Sequence, residues 1–246
     1  MRVPGVRFVQ GRNRYGTSTK YAIAVHATAN NASAANEAAY ATRRTDGTSS
    51  HFYADNVEVI QSLDTADRAG HAGSTQGNTY AIAVEFTGLT SWSRAKWLSS
   101  VAWERIGAVL AAVSRHHNIP ATRATVAQMR SNPRVRGAYD HNQMRLAWGG
   151  TDHTDPGPNF PWDKLLAVWQ RHLAPPPPPP PPPEEEVEMF LIKKKSDGTV
   201  FVSDGVRRRP LPNFDAQRAL QAIGVKSVPD VDTDAQLEAV AGPLAA

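Results

Sequence analysis

Two apolar segments of this sequence carry an ionisable side chain at or near their ends. One reads YAIAVH from Tyr21 to His26, and the other reads TYAIAVEF from Thr79 to Phe86, with Glu85 as its next-to-last residue. A carboxylate inside an apolar strand is costly unless it is paired or associated with a metal. Glu85 is therefore either the partner of a buried arginine or a functional residue. His26 is either a hydrogen-bonded core histidine or a metal ligand.

A third group of such side chains lies in the segment from Tyr139 to Trp162, which is rich in glycine and proline. It contains two histidines and three aspartates: His141, His153, Asp140, Asp152 and Asp155. Loops of this composition hold side chains at a site rather than fill a core. Two imidazoles and one carboxylate, with a fourth position left to water, form a catalytic zinc set. The sequence has no cysteine, so thiolate zinc sites, iron–sulfur clusters, disulfides and cysteine nucleophiles are excluded.

The two apolar segments have the length of strands and are apolar enough to be buried on both faces. A period of two places Ile23 and Val25 on one face of the first strand and His26 on the other, behind two alanines. Glu85 occupies the equivalent face of the second strand. Other patterns predict a hairpin whose strands are residues 52–53 and 58–62. Helical periodicity predicts three helices, at residues 33–43, 94–117 and 163–172. Interleaved strands and helices predict an α/β domain whose mixed β-sheet is flanked by helices.

Nine consecutive prolines, Pro175 to Pro183, precede three glutamates and predict a stiff polyproline II spacer. The expected organisation is a catalytic domain at 1–174, a Pro/Glu linker at 175–186 and a small C-terminal module at 187–246. In that module, two Asp-Gly turns favour a three-stranded meander over 189–194, 199–203 and 206–208. Helices over 214–223 and 234–240 would complete a small α+β fold.

Charge and hydropathy narrow the classes of partner. Residues 1–174 hold 19 basic and 12 acidic groups (+7), and residues 175–246 hold 8 and 11 (−3), which sum to the net +4 of the chain. A basic domain favours an anionic partner. No aromatic platform or helix-turn-helix pattern supports nucleic-acid binding. No apolar run approaches the roughly 18 residues of a membrane span, so stable membrane insertion is not expected.

Five motifs and the His141 region occur together between residues 20 and 170. The motifs are VHATAN (25–30), SSHFYADNVEVIQSLD (49–64), RAGHAG (68–73), YAIAVEFTG (80–88) and TDPGPNFPW (154–162). In this combination the sequence resembles the zinc-dependent N-acetylmuramoyl-L-alanine amidases, the amidase type 2 or peptidoglycan recognition protein-like family. That family includes bacteriophage endolysins, bacterial cell-wall recycling amidases and animal peptidoglycan recognition proteins.

The resemblance implies a set of site residues. It places zinc on His26, His141 and Asp155, makes Glu85 the catalytic base, and puts His153 at the position of an oxyanion-stabilising lysine. His71 matches a residue of the peptide groove, and Ser50 takes the place of a tyrosine near the metal in another branch, so both are expected at the substrate. The adjacent His51 is expected to be structural. The segment 142–152 is longer than in recycling-type relatives, which leaves a second assignment open, with His153 as a ligand instead of Asp155.

The implied function is hydrolysis of bacterial peptidoglycan at the amide bond between N-acetylmuramic acid and L-alanine. The spacer, the C-terminal module and an N-terminus (Met1–Gln10) without an apolar signal segment predict a phage endolysin. Such a protein waits in the host cytoplasm until it is released to the cell wall. The C-terminal module would bind a wall polymer or self-associate, and the oligomeric state stays open. Two alternatives are a peptidoglycan-recognition module without catalysis and a cytoplasmic muropeptide-recycling amidase.

Overall fold

The chain divides into two compact units, Met1–Pro176 and Pro177–Ala246. The computed structural model describes residues 1–175, 189–204, 206–212, 214–222 and 224–241. From position 176 onward, the predicted linker at 175–186 therefore lies outside the described residues.

The first unit contains a six-stranded mixed sheet. Its strands are β1 (Arg7–Phe8), β2 (Ala22–Ala27), β3 (Phe52–Ala54), β4 (Val59–Gln61), β5 (Ala81–Phe86) and β6 (Gly137–Asp140). Their spatial order is β1-β4-β3-β5-β2-β6. The pairs β2–β5, β2–β6 and β3–β5 are parallel, whereas β3 and β4 form the predicted antiparallel hairpin. The predicted α/β class with a mixed sheet is confirmed.

Seven helices are described in this unit. They are α1 (Ala34–Ala41), α2 (Thr75–Tyr80), α3 (Arg94–Ser99), α4 (Trp103–His117), α5 (Val126–Ser131), α6 (His141–Trp148) and α7 (Trp162–Leu173). Among the described residues, no helix is both long and apolar enough to cross a membrane.

The two faces of the sheet differ in side-chain size, as the period of two predicts. Ile23 and Val25 of β2 join the main core, together with the large side chains of β5, α4 and α7. The opposite face carries Ala22, Ala24 and Ala81, which pack in a smaller cluster with Tyr139 and Met144. Small side chains on this face leave space above the sheet, and His26 and Glu85 project on the same side.

Two predicted elements differ from the observed ones. The single helix expected over 94–117 is interrupted, because α3 ends at Ser99 and α4 begins at Trp103. Between them, the Ala102 N–H bonds the Asp55 carbonyl at 2.7 Å instead of a helical carbonyl. His141, expected in a loop, is the first residue of α6, and Asp140 caps that helix by accepting the Gln143 N–H at 2.7 Å.

The C-terminal unit is a small α+β module, also as predicted. Its elements are β7 (Phe190–Lys193), β8 (Val200–Ser203), β9 (Arg208–Pro210), α8 (Phe214–Ala222), β10 (Lys226–Ser227) and α9 (Asp234–Ala241). The strands β7, β8 and β9 form the predicted antiparallel meander, and Gly205 of the second Asp-Gly pair lies outside the described residues. A fourth strand, β10, adds to β7 in parallel, and its two residues are too few for a sequence pattern to predict. The core includes Ile192, Phe201 and Leu237.

A lysine is buried just before β2. Lys20 is 1% exposed, and its Nζ donates to the Thr79 carbonyl at 3.1 Å. Burial, together with the nearby Arg68 charge, lowers the pKa of Lys20 from 10.5 to about 7, although Asp67 opposes this shift. Because the unfolded chain keeps the ordinary pKa, the folded chain binds fewer protons between pH 7 and 10.5. Stability therefore rises with pH across that window, and the cost of the buried ammonium is largest below pH 7.

Replacing Lys20 by methionine is expected to stabilise the first unit by about 1–4 kcal/mol near pH 6, because methionine fills similar space without a charge. The Thr79 carbonyl would keep its bond from the Ser18 hydroxyl. The gain should shrink as the pH rises from 7 to 10.5. Urea unfolding of Lys20→Met at pH 6 and pH 10 measures both effects, with the exposed Lys96→Met as the control. An equal gain at both pH values would contradict the prediction.

Candidate metal centre and catalytic groove

Parallel strand pairing brings the predicted site residues to one edge of the sheet. β2 pairs in parallel with β5 and with β6, so the carboxyl ends of all three strands lie together. In this register His26 lies beside Glu85, and Val25 lies beside Asp140, the residue before His141. The first histidine, the carboxylate and the second histidine are therefore neighbours in space, although up to 115 residues separate them in sequence.

Three side chains offer ligand atoms that converge within 4.8 Å of one another: His26, His141 and Asp155. The Nδ1 atoms of the two histidines are 3.1 Å apart. Asp155 Oδ2 lies 3.2 Å from His26 Nδ1, and Asp155 Oδ1 lies 3.1 Å from His141 Nδ1. All three residues are buried. Of the two candidates for the third ligand, the structure thus places Asp155 with the histidines.

This donor set fits zinc. In a tetrahedral site with Zn–N and Zn–O bonds of about 2.0–2.1 Å, neighbouring ligand atoms are about 3.3 Å apart, close to the observed separations. The carboxylate is also held in its charged form. Burial opposes ionisation of Asp155, but bonds with His141 and His26 hold its pKa well below the usual range. The Ala27 N–H adds a bond to Oδ2 at 3.1 Å.

The outer nitrogen of each histidine also has a partner. His26 Nε2 lies 2.9 Å from Nδ1 of His71, and His141 Nε2 lies 3.1 Å from the Thr151 hydroxyl. His71 is 7% exposed, and burial beside the other histidines lowers its pKa well below 6.5. His71, which we predicted to contact substrate, therefore lines the groove as a neutral imidazole that contacts His26.

Glu85 is a partly buried residue whose two carboxylate oxygens differ in their hydrogen bonding. Its Oε1 accepts a hydrogen bond from the Ser50 hydroxyl at 3.2 Å, whereas Oε2 is buried without a hydrogen-bond partner in the described part of the chain. Burial raises the pKa of Glu85 above its usual value, despite the opposing charge of His26. No arginine pairs with this carboxylate among the described residues. This arrangement suits a proton acceptor rather than a structural ion pair.

Ser50 and His51 are both interior residues. Ser50 is 2% exposed and bonds Glu85, so its contact is with the carboxylate and not with the groove where we expected it. His51 Nε2 bonds the Asp67 carbonyl at 2.9 Å, and its Nδ1 accepts the Ala83 N–H at 3.0 Å. Burial lowers the pKa of His51 to about 3, which keeps the ring neutral. It connects the approach to β3 with β5, in line with a structural role.

His153 lies at the open side of the centre. Its side chain is 65% exposed, and its Nδ1 is 3.8 Å from Asp155 Oδ1. Its ring centroid is 4.8 Å from that of His141. The residue is therefore next to the converging ligands but is not one of them, a position from which it can reach a group bound in the groove.

One groove of about 670 Å³ is lined by His26, His141 and Asp155 together with His71, Glu85, Thr151 and His153, but not by Ser50 or His51. The groove also contains Glu37, Arg44 and Tyr53, which the sequence analysis missed. Tyr53 is the register partner of Glu85 in β3, and burial raises its pKa. Arg44 pairs with Asp46 at 2.7 Å. The sequence predicts a strand at residues 52–53, but it does not predict that this strand pairs in parallel with β5 and so places Tyr53 beside Glu85.

Two loops that carry site residues pack directly on each other. One holds His71 and Gly73, and the other holds Gly150 and Thr151. A Cβ atom at Gly73 would lie 2.4 Å from the Gly150 carbonyl oxygen, and a Cβ at Gly150 would lie 2.4 Å from that of Gly73. Both glycines have positive φ, +62° and +76°. Only glycine at both positions allows this approach.

Comparison with known proteins identifies a family. The profile of the family described as N-acetylmuramoyl-L-alanine amidase (Amidase_2) matches residues 17–158, more than half of the chain. Two curated relatives of Bacillus subtilis (strain 168) are similar over 66 residues, or 26% of this chain. They are the N-acetylmuramoyl-L-alanine amidases XlyB, at 47% identity, and CwlA, at 44%. The similarity spans 21% and 24% of their respective lengths.

A solved structure shares the fold. The Staphylococcus aureus hydrolase AmiA, in complex with its ligand, superimposes with a TM-score of 0.54 at 18% sequence identity. The alignment covers 71% of this chain and 89% of AmiA. At this identity the likeness concerns the fold alone.

The packing of the two loops makes Gly73→Ala a destabilising change. Its Cβ would meet the Gly150 carbonyl in addition to the cost of positive φ, so we expect a loss of about 2–4 kcal/mol. Gly149→Ala is the matched control, because Gly149 has φ +71° and nothing within 4 Å of its Cβ position. Denaturant unfolding should show a loss of only about 1 kcal/mol for the control. Equal losses would argue against a tight contact between the loops.

Proposed function

The chain belongs to the N-acetylmuramoyl-L-alanine amidase family, and we propose that it hydrolyses the amide bond between N-acetylmuramic acid and the L-alanine of the stem peptide in bacterial peptidoglycan. One observation carries this proposal. Two imidazole Nδ1 atoms and a carboxylate converge in one open groove, which also holds Glu85, a second carboxylate with one oxygen that has no hydrogen-bond partner among the described residues. Metal-assisted amide hydrolysis needs that combination.

His26, His141 and Asp155 would hold the metal, which we propose to be zinc. A zinc ion bound there supplies polarisation of the scissile carbonyl and activation of the attacking water. The three residues would form the ligand set, and their side chains are buried at the base of the groove. The fourth position is left to water or substrate, as in catalytic zinc sites.

Glu85 would act as the general base and then as the general acid. Its Oε2 accepts the proton of the attacking water as the new C–O bond forms, and returns it to the amide nitrogen as the C–N bond breaks. The products are the lactyl carboxylate on the sugar and a free amine on L-alanine. The Ser50 hydroxyl donates to Oε1, which leaves Oε2 as the oxygen without a hydrogen-bond partner among the described residues.

His153 would stabilise the negative oxygen of the tetrahedral intermediate. A ring N–H donates to that oxygen, and such a donor contributes about 2–4 kcal/mol when it is well placed. Exposure of the side chain lets the ring move onto a bound substrate.

The biological setting is part of the same proposal. A basic catalytic unit joined through a proline-rich segment to a small α+β module favours a phage endolysin that is released from the host cytoplasm to the wall. In this setting the second unit would hold the enzyme on a wall polymer or mediate self-association. A recognition module without catalysis would have no use for both the ligand set and Glu85, and a recycling amidase would have no use for the spacer.

Product analysis tests the proposed bond. Purified peptidoglycan fragments incubated with the zinc-loaded protein should yield stem peptide that begins at L-alanine and intact muramyl sugar, identified by mass spectrometry. Metal-stripped protein and His26→Ala should give neither product. Binding without cleavage would assign the protein to non-catalytic recognition, and cleavage at another bond would refute the proposed substrate position.

Glu85→Gln tests the proposed base. The variant should keep zinc and the fold, because glutamine has the same shape and can still accept the Ser50 hydrogen bond. Turnover should fall by about 10²–10⁴-fold, because an amide cannot accept the proton. Glu58→Gln, in the hairpin away from the groove, is the control. Turnover of Glu85→Gln near that of the control would exclude Glu85 as the base.

A further inference from the structure

We propose that His71 and Thr151 are positioning residues of the metal centre. His71 accepts the outer ring N–H of His26, and Thr151 accepts that of His141, so that both Nδ1 atoms stay directed at the metal. This inference rests on the proposed function. It changes the role expected for His71 from a substrate contact to a support of the ligand set.

The direction of each hydrogen bond follows from the ligand geometry. In both histidines, Nδ1 faces the other ligand atoms. A metal-binding nitrogen must present its lone pair, so the proton of the neutral ring is on Nε2. Nε2 is then a donor, and the atom that it meets must accept. For His26 that atom is His71 Nδ1 at 2.9 Å, and for His141 it is Thr151 Oγ1 at 3.1 Å.

The His71 ring has no other polar contact in the described part of the chain. Its Nε2 is buried without a hydrogen-bond partner there, and the ring stands edge to face against His26, with 5.0 Å between centroids and 81° between planes. Its backbone is fixed independently, because Asn78 Oδ1 accepts the His71 N–H at 2.8 Å. Among the described residues, the polar contact of the His71 imidazole is therefore the one with His26.

Thr151 joins the second ligand to the loop of His153. Its Oγ1 lies 3.1 Å from His141 Nε2 and accepts the His153 backbone N–H at 3.2 Å. A hydroxyl oxygen has two acceptor sites, so one atom can accept both bonds. Losing the hydroxyl would release the His141 ring and loosen the loop that carries His153.

The two supports belong to one packed unit. Gly73, two residues after His71, touches Gly150, the residue before Thr151. The close glycine contact holds the two acceptors at a fixed spacing around the ligand set. Partners that accept the outer N–H of metal-binding histidines generally raise metal affinity about 10–100-fold.

Zinc affinity is the measurement that separates positioning from substrate contact. Chelator competition on the full chain compares wild type with two matched pairs of variants. His71→Phe removes the acceptor and keeps an aromatic ring, whereas His71→Asn keeps an oxygen near the position of Nδ1. Thr151→Val removes the hydroxyl at equal shape, and Thr151→Ser retains it.

We expect His71→Phe and Thr151→Val each to bind zinc about 10–100-fold more weakly than wild type, and His71→Asn and Thr151→Ser to recover most of the affinity. At saturating zinc, His71→Phe should change kcat more than KM. The inference is overturned if His71→Phe and Thr151→Val bind zinc as tightly as wild type, or if the conservative variants lose as much affinity as these two. A raised KM with unchanged zinc affinity would instead restore a substrate role for His71.

Failure of the proposed function would look different. In that case the wild-type chain itself would bind no zinc or release no stem peptide, whatever the variants do. Unfolding curves for all four variants separate loss of metal from loss of fold, because a folded variant with weakened zinc binding supports the inference. If Thr151→Ser recovers zinc affinity but His71→Asn does not, Thr151 positions His141, and the proposed role of His71 at His26 is overturned.

Discussion

Parallel pairing of β2 with β5 is the constraint on which the site depends. Because the two strands run in the same direction and in register, His26 and Glu85 arrive side by side at one edge of the sheet. The pairing of β6 on the other side of β2 delivers Asp140 and the start of α6, and hence His141, to the same edge. A shift of one residue would turn His26 or Glu85 to the opposite face, into the apolar core.

Several polar side chains are buried together at the candidate metal centre, and most of them have polar partners that offset the cost of removing them from water. Asp155 accepts the Ala27 N–H and lies within 3.2 Å of both histidine Nδ1 atoms, and His141 Nε2 lies 3.1 Å from the Thr151 hydroxyl. Glu85 is the exception, because one of its oxygens has no partner among the described residues. A buried acceptor without a partner lowers the stability of the fold but is free to accept a proton. The unfavourable desolvation is therefore that of Oε2, the atom that the proposed chemistry uses.

Unequal side-chain size across the sheet makes room for this arrangement. Large residues of β2 and β5 fill the core beneath α4 and α7. On the other face, alanines of β2 and β5 pack with Tyr139 and with Met144 of α6, and α1 packs on Tyr53 and Ile60 of the neighbouring strands. The face that carries the candidate site is therefore built from small strand residues and close backbone contacts, whereas the larger apolar cluster lies on the opposite face.

Local patterns in the sequence determined the main strands of the first unit and the face of the sheet on which His26 and Glu85 lie. The alternation in YAIAVH and YAIAVEF and the turn residues at 55–56 predicted the strands and the hairpin, whereas the proposed ligands His26, His141 and Asp155 were implied by the resemblance to the amidase family. Patterns of this kind report on neighbours along the chain. The break between α3 and α4, the position of Tyr53 beside Glu85, and the contacts of His71 and Ser50 depend on residues far apart in sequence. Only the tertiary structure decided them, because strand register and loop packing arise when separate segments exclude water from one another.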